Sequence, residues 1–353
     1  MAATSASGSL ERVICRVLLV AGVVFLAGCA VGERPTLTGE GLDDVESLDG
    51  GAVAATVGAG AEPATTVADD PALDDLAALG DAPAVVVTST GVVVPVLGRS
   101  EAGYAVRTPC GNDAEIVWGQ PIGPVDVVLD PGHGGDEQGA LGPSGQTEAE
   151  VNLDIARRAA VALEQRGFSV ALTRTADYRI TIPNRAAIAN RLAPGALISI
   201  HHNSPSPDIS EERSTPGTEV YTQVASEDST RLGGLVYEDV VAALSVFDAE
   251  WASRTDAGVL RVVNDSGQDA YGIVRRPEAP AVLVELAYLS NPTEAVVIGT
   301  GEYRQAAAEA IANALARFLS TADVGAGFVA EPRLFNPSAD TGGSDGCVDP
   351  LLS

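Results

Sequence analysis

The chain has three histidines, and two of them stand where a sheet would bring them together. His133 lies in Asp130-Pro131-Gly132-His133-Gly134-Gly135, after the apolar run Val125–Leu129, and His201 follows Ile198-Ser199-Ile200. Residues just beyond the carboxyl ends of neighbouring parallel strands share one crevice. Two imidazoles delivered there suggest a metal site, with glycines clearing space around His133, whereas a lone histidine would read as a structural hydrogen-bonding group. Two carboxylates fall at matching places. Glu148 opens the helix that follows the His133 loop, where an acid also simply favours the helix dipole. Glu285 closes the apolar run Ala281-Val282-Leu283-Val284, and an acid there is costly to bury without a partner.

Two histidines and one glutamate leave tetrahedral Zn²⁺ an open position for water, whose pKa the metal lowers toward ~7. Hydrolysis of an amide then needs a second carboxylate that takes a proton from the water and passes it to the leaving nitrogen. Glu285 fits that role. Glu150 competes with Glu148, but residues two apart on a helix do not share a face, so one of them must point away. His202, next to His201, is the other competitor for the metal.

The elements that must position these groups alternate along the chain. Val125–Leu129, Ser169–Thr173, Ala196–Ile200, Thr218–Thr222 and Ala281–Glu285 read as strands. Helical spacing marks Glu148–Arg166, Pro183–Leu192, Ser229–Leu244 and Glu302–Leu319, with Gly167 and Pro183 at a stop and a start. This order predicts an α/β domain over 123–321, its mostly parallel sheet covered by helices on both faces. Before it, 85–122 holds short Val-rich runs punctuated by Gly and Pro, ending in Ile116-Val117-Trp118, as expected for a small β-meander. A segment that short needs support from its neighbour. It either packs on the next domain or forms a partial SH3-like piece with a role at the wall.

Acids outnumber bases, 48 to 21, and every base is arginine, giving a net charge of -27. That excludes a nucleic-acid partner, which would need clustered positive charge. The excess is concentrated in Val31–Ala84, with twelve acids against one arginine and no aromatic residue. We read 30–84 as a disordered acidic linker with a reach of roughly 40 Å. Ahead of it, Arg12 and Arg16 flank an apolar run over Val17–Ala27, shorter than the ~20 residues of a membrane span and typical of an export signal. Its end, Leu26-Ala27-Gly28-Cys29, resembles a bacterial lipobox, which implies a signal over 1–29, acylation of Cys29 and a lipid anchor in the membrane. Processing removes Cys15 and modifies Cys29, leaving Cys110 and Cys347 as an even pair in an oxidising compartment. A disulfide between them is expected, the alternative being two free thiols, with 322–353 otherwise an irregular tail.

Four stretches in order resemble the zinc-dependent N-acetylmuramoyl-L-alanine amidases of the bacterial cell wall, the amidase_3 type. They are Val127-Val128-Leu129-Asp130-Pro131-Gly132-His133-Gly134-Gly135, Glu148-Ala149-Glu150-Val151-Asn152-Leu153, Ile198-Ser199-Ile200-His201-His202-Asn203 and Val282-Leu283-Val284-Glu285. Thr173-Arg174, Asn184-Arg185 and Leu289-Ser290-Asn291-Pro292 also fall in family order. The resemblance implies a six-stranded, mainly parallel sheet flanked by helices. It also implies zinc held by His133, Glu148 and His201, catalysis by Glu285, and hydrolysis of the amide joining N-acetylmuramic acid to L-alanine in peptidoglycan. The enzyme would be exported and anchored in the envelope, facing the wall. Two features depart from the family: His202 stands where a small residue is common, and Leu286-Ala287-Tyr288 replaces the usual glycine and aromatic residue. Two alternatives stay open, a zinc hydrolase of the same fold acting on another amide or peptide, and a catalytically silent wall-binding lipoprotein. A groove-covering lid between Thr222 and Val282 and an unidentified regulatory protein partner are open as well.

Overall fold

The computed structural model describes Leu73 and residues 75–204, 217–247, 258–337 and 342–353. The segment expected to be an export signal, Cys29 and most of the expected acidic linker lie outside the described residues. The linker's last part does not fit a loose tether. Leu73 and Leu79 are buried, Leu76–Leu79 form a 3₁₀ turn, and the Leu73 carbonyl accepts from the Arg191 guanidinium at 2.8 Å. A few leucines amid aspartates suffice to dock this stretch, although its composition alone would not.

Five antiparallel strands follow: β1 (Val85–Thr88), β2 (Val93–Arg99), β3 (Tyr104–Arg107), β4 (Asp113–Ile116) and β5 (Gly119–Ile122), in the order β4-β3-β2-β1-β5. Val117 and Trp118, expected within a strand, instead form the exposed link between β4 and β5 (79% and 60% exposed). Apolar character alone assigned them to a strand, but no partner strand covers them.

The larger sheet contains β6 (Val127–Pro131), β7 (Val170–Leu172), β8 (Ala196–Asn203), β9 (Glu219–Thr222), β10 (Gly258–Val263), β11 (Ala281–Tyr288) and the two-residue β12 (Arg333–Leu334). Their order is β12-β10-β9-β11-β8-β6-β7. Every described pairing in it is parallel except β9 with β11. The sheet is thus mixed and mostly parallel, as expected, with β10 and the short β12 added at one edge. The run Gly258-Val-Leu-Arg-Val-Val carries the β-branched signal of a strand, but it is brief and stands isolated in a polar stretch.

Helices α1 (Glu148–Gln165), α3 (Glu227–Leu244) and α6 (Gly301–Ser320) cover one face, around Leu129, Ile198, Val284, Ile155, Leu235 and Ile311. The other face is covered by α2 (Ile182–Leu192), the short α4 (Gly272–Arg275) and the small sheet. Val85, Val94 and Val96 share that core with Ile188 and Leu192, so the meander packs on its neighbour and gains the burial it lacks alone. The remaining helix, α5 (Pro292–Ile298), follows β11. Among the described residues no helix is long and apolar enough to cross a membrane.

The tail after Thr321, expected to be irregular, contributes β12 to the sheet edge and is otherwise irregular but tied down. Cys110 and Cys347 form a disulfide. Beside it the Asp349 carboxylate accepts from the Thr108 hydroxyl and the Cys110 backbone N–H, both at 2.8 Å.

Candidate metal centre

Strand direction assembles the site. The first strand of the larger sheet, β6, ends at Pro131 and hands the chain to Gly132 and His133; β8 carries His201 near its carboxyl end, and β11 places Glu285 in register with His201. Because β9 runs the other way, its first residue, Glu219, lies opposite Glu285. Glu148 arrives at the first turn of α1, which begins where it does because the Thr147 hydroxyl caps the Glu150 N–H.

His133, Glu148 and His201 each offer a ligand atom, and these atoms all lie within 4.8 Å of one another. His133 Nε2 is 3.1 Å from Glu148 Oε2, and His201 Nδ1 is 2.9 Å from Glu148 Oε1. The imidazoles meet edge to face, centroids 4.9 Å apart. Two imidazole nitrogens and a carboxylate oxygen form the donor set of a catalytic zinc site with one position left for water. The surrounding backbone is cut to fit them. A Cβ on Gly132 would come within 2.2 Å of the His201 ring, and one on Gly139 within 2.4 Å of Glu148 Oε2. His133 itself sits at φ 60°, a conformation that costs energy for a non-glycine residue and is concentrated at functional sites.

Buried polar groups hold that strained loop. Arg174 donates to the carbonyls of Pro131, Gly132 and Ala149 at 2.9, 2.9 and 2.7 Å. Arg185 donates to the carbonyls of Pro131 and His133 and pairs with Asp130 at 2.8 Å. Burial pushes the Asp130 carboxyl up, but Arg185 and hydrogen bonds from Ser199 and Thr173 outweigh it and keep the acid ionised. Glu137 takes the outer nitrogen of His133, Nδ1, at 3.1 Å, and its other oxygen lies 3.0 Å from Arg179 Nε. A carboxylate behind a ligand-type histidine fixes the ring's tautomer and orientation.

The environments of the two glutamates differ. Glu148 is buried, which alone would raise its pKa, but the charge and hydrogen bond of His133 and the bond from His201 hold it well below the usual range. For Glu285, burial and then the negative charges of Glu148 and Glu219 push the carboxyl well above it. Its Oε2 atom is closed off and has no hydrogen-bond partner among the described residues. Glu285, His133 and His201 line one cavity of about 190 Å³, together with Ile182, Tyr271 and Gly342. A larger cavity, of about 720 Å³ beside Ser226 and Phe328, contains none of these groups.

Both competitors point elsewhere. The Glu150 side chain is exposed, 3.7 Å from Arg304. His202 is buried on the opposite face of β8 from His201, bonded to Asn152 and Tyr303. Burial lowers its pKa to about 3, so the ring is neutral.

The profile of the N-acetylmuramoyl-L-alanine amidase family matches residues 127–317, more than half of the chain. This chain belongs to that family. The Bacillus subtilis protein YqiI is 32% identical over 209 residues, 59% of this chain and 88% of its own length. LytH of Staphylococcus aureus, named a probable cell wall amidase, is 32% identical over 57% of this chain and 60% of its own. Cwp6 from Clostridium difficile superposes with a TM-score of 0.50 at 25% identity, covering 56% of this chain and 30% of that one. The chain thus spans less than two thirds of LytH and of Cwp6.

Within the amidase domain the sequence reading brought out His133, Glu148, His201 and Glu285, and the fold brings all four together. It missed Glu137, Glu219, Asn152 and Tyr303. Glu137 carries a faint signal, an acid four residues after His133. Glu219 carries none, because the sequence does not state that β9 runs antiparallel to β11.

Proposed function

We propose that this chain is a zinc-dependent hydrolase of the amide between N-acetylmuramic acid and L-alanine in peptidoglycan, with His133, Glu148 and His201 holding the metal and Glu285 moving the proton. The observation that carries this reading is the cluster of His133, Glu148 and His201, whose two histidines line one cavity with Glu285 in an amidase-family domain. When bound, zinc supplies a Lewis acid that polarises the scissile carbonyl and activates water near neutral pH.

The chain's own residues do the rest. Glu148, saturated by hydrogen-bond donors, stays ionised as a ligand, and Glu137 holds His133 with Nε2 turned inward. Glu285 Oε2 is buried with no hydrogen-bond partner among the described residues, and the group's high proton affinity suits one that takes a proton from water and returns it to the leaving nitrogen. An amine leaves only once protonated, so the second transfer matters as much as the first. Ile182 and Tyr271 narrow the cavity and keep bulk water from the reacting atoms. Export to the wall is supported by the disulfide and by the amidase relatives. A lipid anchor at Cys29 rests on the lipobox-like sequence.

The direct test is mass spectrometry of sacculi digested by the zinc-loaded protein. Newly released L-alanine amino termini are expected, lost on chelation and restored by zinc. Cleavage at another bond, or none, would overturn the assignment.

A further inference from the structure

Behind the metal centre, on the face of β8 turned toward α1 and α6, lies a chain of buried polar groups that the proposed chemistry does not use. Asn152 Nδ2 is 3.2 Å from Glu148 Oε1. Asn152 Oδ1 is 2.8 Å from His202 Nδ1, and His202 Nε2 is 3.0 Å from the Tyr303 hydroxyl. All four groups are buried: Asn152 and Tyr303 are 0% exposed, His202 1% and Glu148 4%.

The direction of each bond follows from its neighbour. An ionised carboxylate only accepts, so Asn152 must turn its amide nitrogen toward Glu148 and its oxygen toward His202. His202 must then carry its proton on Nδ1. The Tyr303 hydroxyl closes the chain at Nε2. The His202 backbone N–H reaches the same Glu148 oxygen at 3.0 Å, which ties the relay to β8 as well.

We propose that Tyr303, His202 and Asn152 form a positioning relay that runs from α6 to Glu148 and sets the orientation of its Oε1 toward the metal. None of the three touches substrate, so they are positioning residues rather than catalytic ones. The relay explains a histidine beside His201 that does not face the centre. It also gives α6, whose other buried residues are apolar, a polar link to the site. Outer partners of metal ligands typically govern metal affinity by ~10–100-fold. The proposal rests on the zinc reading above, and its test separates the two.

Metal-free full-length protein is titrated with zinc against a competing chelator, and the unfolding temperature of each metal-free variant is measured in parallel. Tyr303→Phe removes one hydroxyl and keeps the ring, and should weaken zinc binding about fivefold, the effect of one neutral hydrogen bond. His202→Ala should weaken it by roughly 10–100-fold. His202→Asn keeps a donor near the Nδ1 position and should recover most of that loss, which a merely structural role for the ring would not produce. Stoichiometric zinc in the parent with unchanged affinity in Tyr303→Phe and His202→Ala overturns the relay and leaves the zinc reading standing. A parent protein that binds no zinc overturns both.

Discussion

Glu148, at the first turn of α1, accepts from the Ala140 N–H on Oε2 and from Asn152 and the His202 N–H on Oε1, with both histidines closing the set. Glu285, on β11, leaves Oε2 bare and faces a second buried acid across the β9 pairing. Both are carboxylates at the same mouth of the same sheet, yet the first is pressed well below the ordinary range and the second well above it. A carboxylate surrounded by hydrogen-bond donors is held ionised, the form in which it can serve a cation. A group with a free oxygen and negative neighbours is pushed the other way. The difference between the proposed ligand and the proposed acid–base residue is thus written in the neighbours, since the side chain is the same.

The largest effect should come from the ligand side. Glu148→Ala, His133→Ala and His201→Ala are each expected to lose zinc and with it all measurable turnover, by metal analysis and sacculus digestion. Glu285→Gln should retain stoichiometric zinc while turnover falls ~10²–10⁴-fold. The comparison breaks if the metal is lost from Glu285→Gln or kept in Glu148→Ala.

The next test uses pH. In the metal-free protein, burial works against the His133 charge, but Glu148 and Glu137 overcome it and raise the pKa from 6.5 to about 10. A raised pKa in the folded state contributes stability that is complete below 6.5 and is lost as pH climbs toward 10. The lowered pKa of Glu148 contributes stability present above its ordinary 4.5 and lost as pH falls. The pair therefore favours the metal-free fold most between about 4.5 and 6.5, with a decline above. Zinc requires neutral imidazole and replaces that proton, so the zinc-loaded protein should decline less over that range than the metal-free one. Thermal unfolding from pH 6 to 10, with and without chelator, checks this, and parallel curves for the two forms would refute it.

The ligand side was legible in the sequence because its residues stand at the ends of elements: a histidine past β6, a glutamate at the start of α1, a histidine ending an apolar run on β8. Glu285 was legible for the same reason. What sets these groups apart was not. Asn152 and Tyr303 lie inside helices, and which helix face meets which strand is decided by packing between segments 50 and 101 residues apart in sequence. Glu219 acts on Glu285 only because β9 is reversed, and four residues of apolar pattern say nothing of direction. Val117 and Trp118 show the converse error, where hydrophobicity promised burial that no neighbouring strand supplies.

The smallest effect on the centre is expected from the far end of the chain. The Cys110–Cys347 bond spans a sequence separation of 237 residues and pins the end of the tail. Chain-entropy arithmetic for so long a loop gives roughly 5 kcal/mol as an upper bound on its stabilisation. The tail reaches the site through Arg179, which donates to the Gly343 and Asp345 carbonyls at 2.9 and 3.0 Å while pairing with Glu137 behind His133. Reduction, or the double change Cys110→Ala and Cys347→Ala, frees those carbonyls and leaves Arg179 with its carboxylates. The effect should therefore fall on the His133 side, with the Glu285 side less touched. We expect a lower unfolding temperature, zinc affinity reduced less than tenfold, the scale of one or two hydrogen bonds, and turnover at saturating zinc nearly unchanged. A large drop in turnover with zinc still bound would show that the tail supports the proton-moving side instead. An unfolding temperature that ignores reductant would mean the tail is held without the bond.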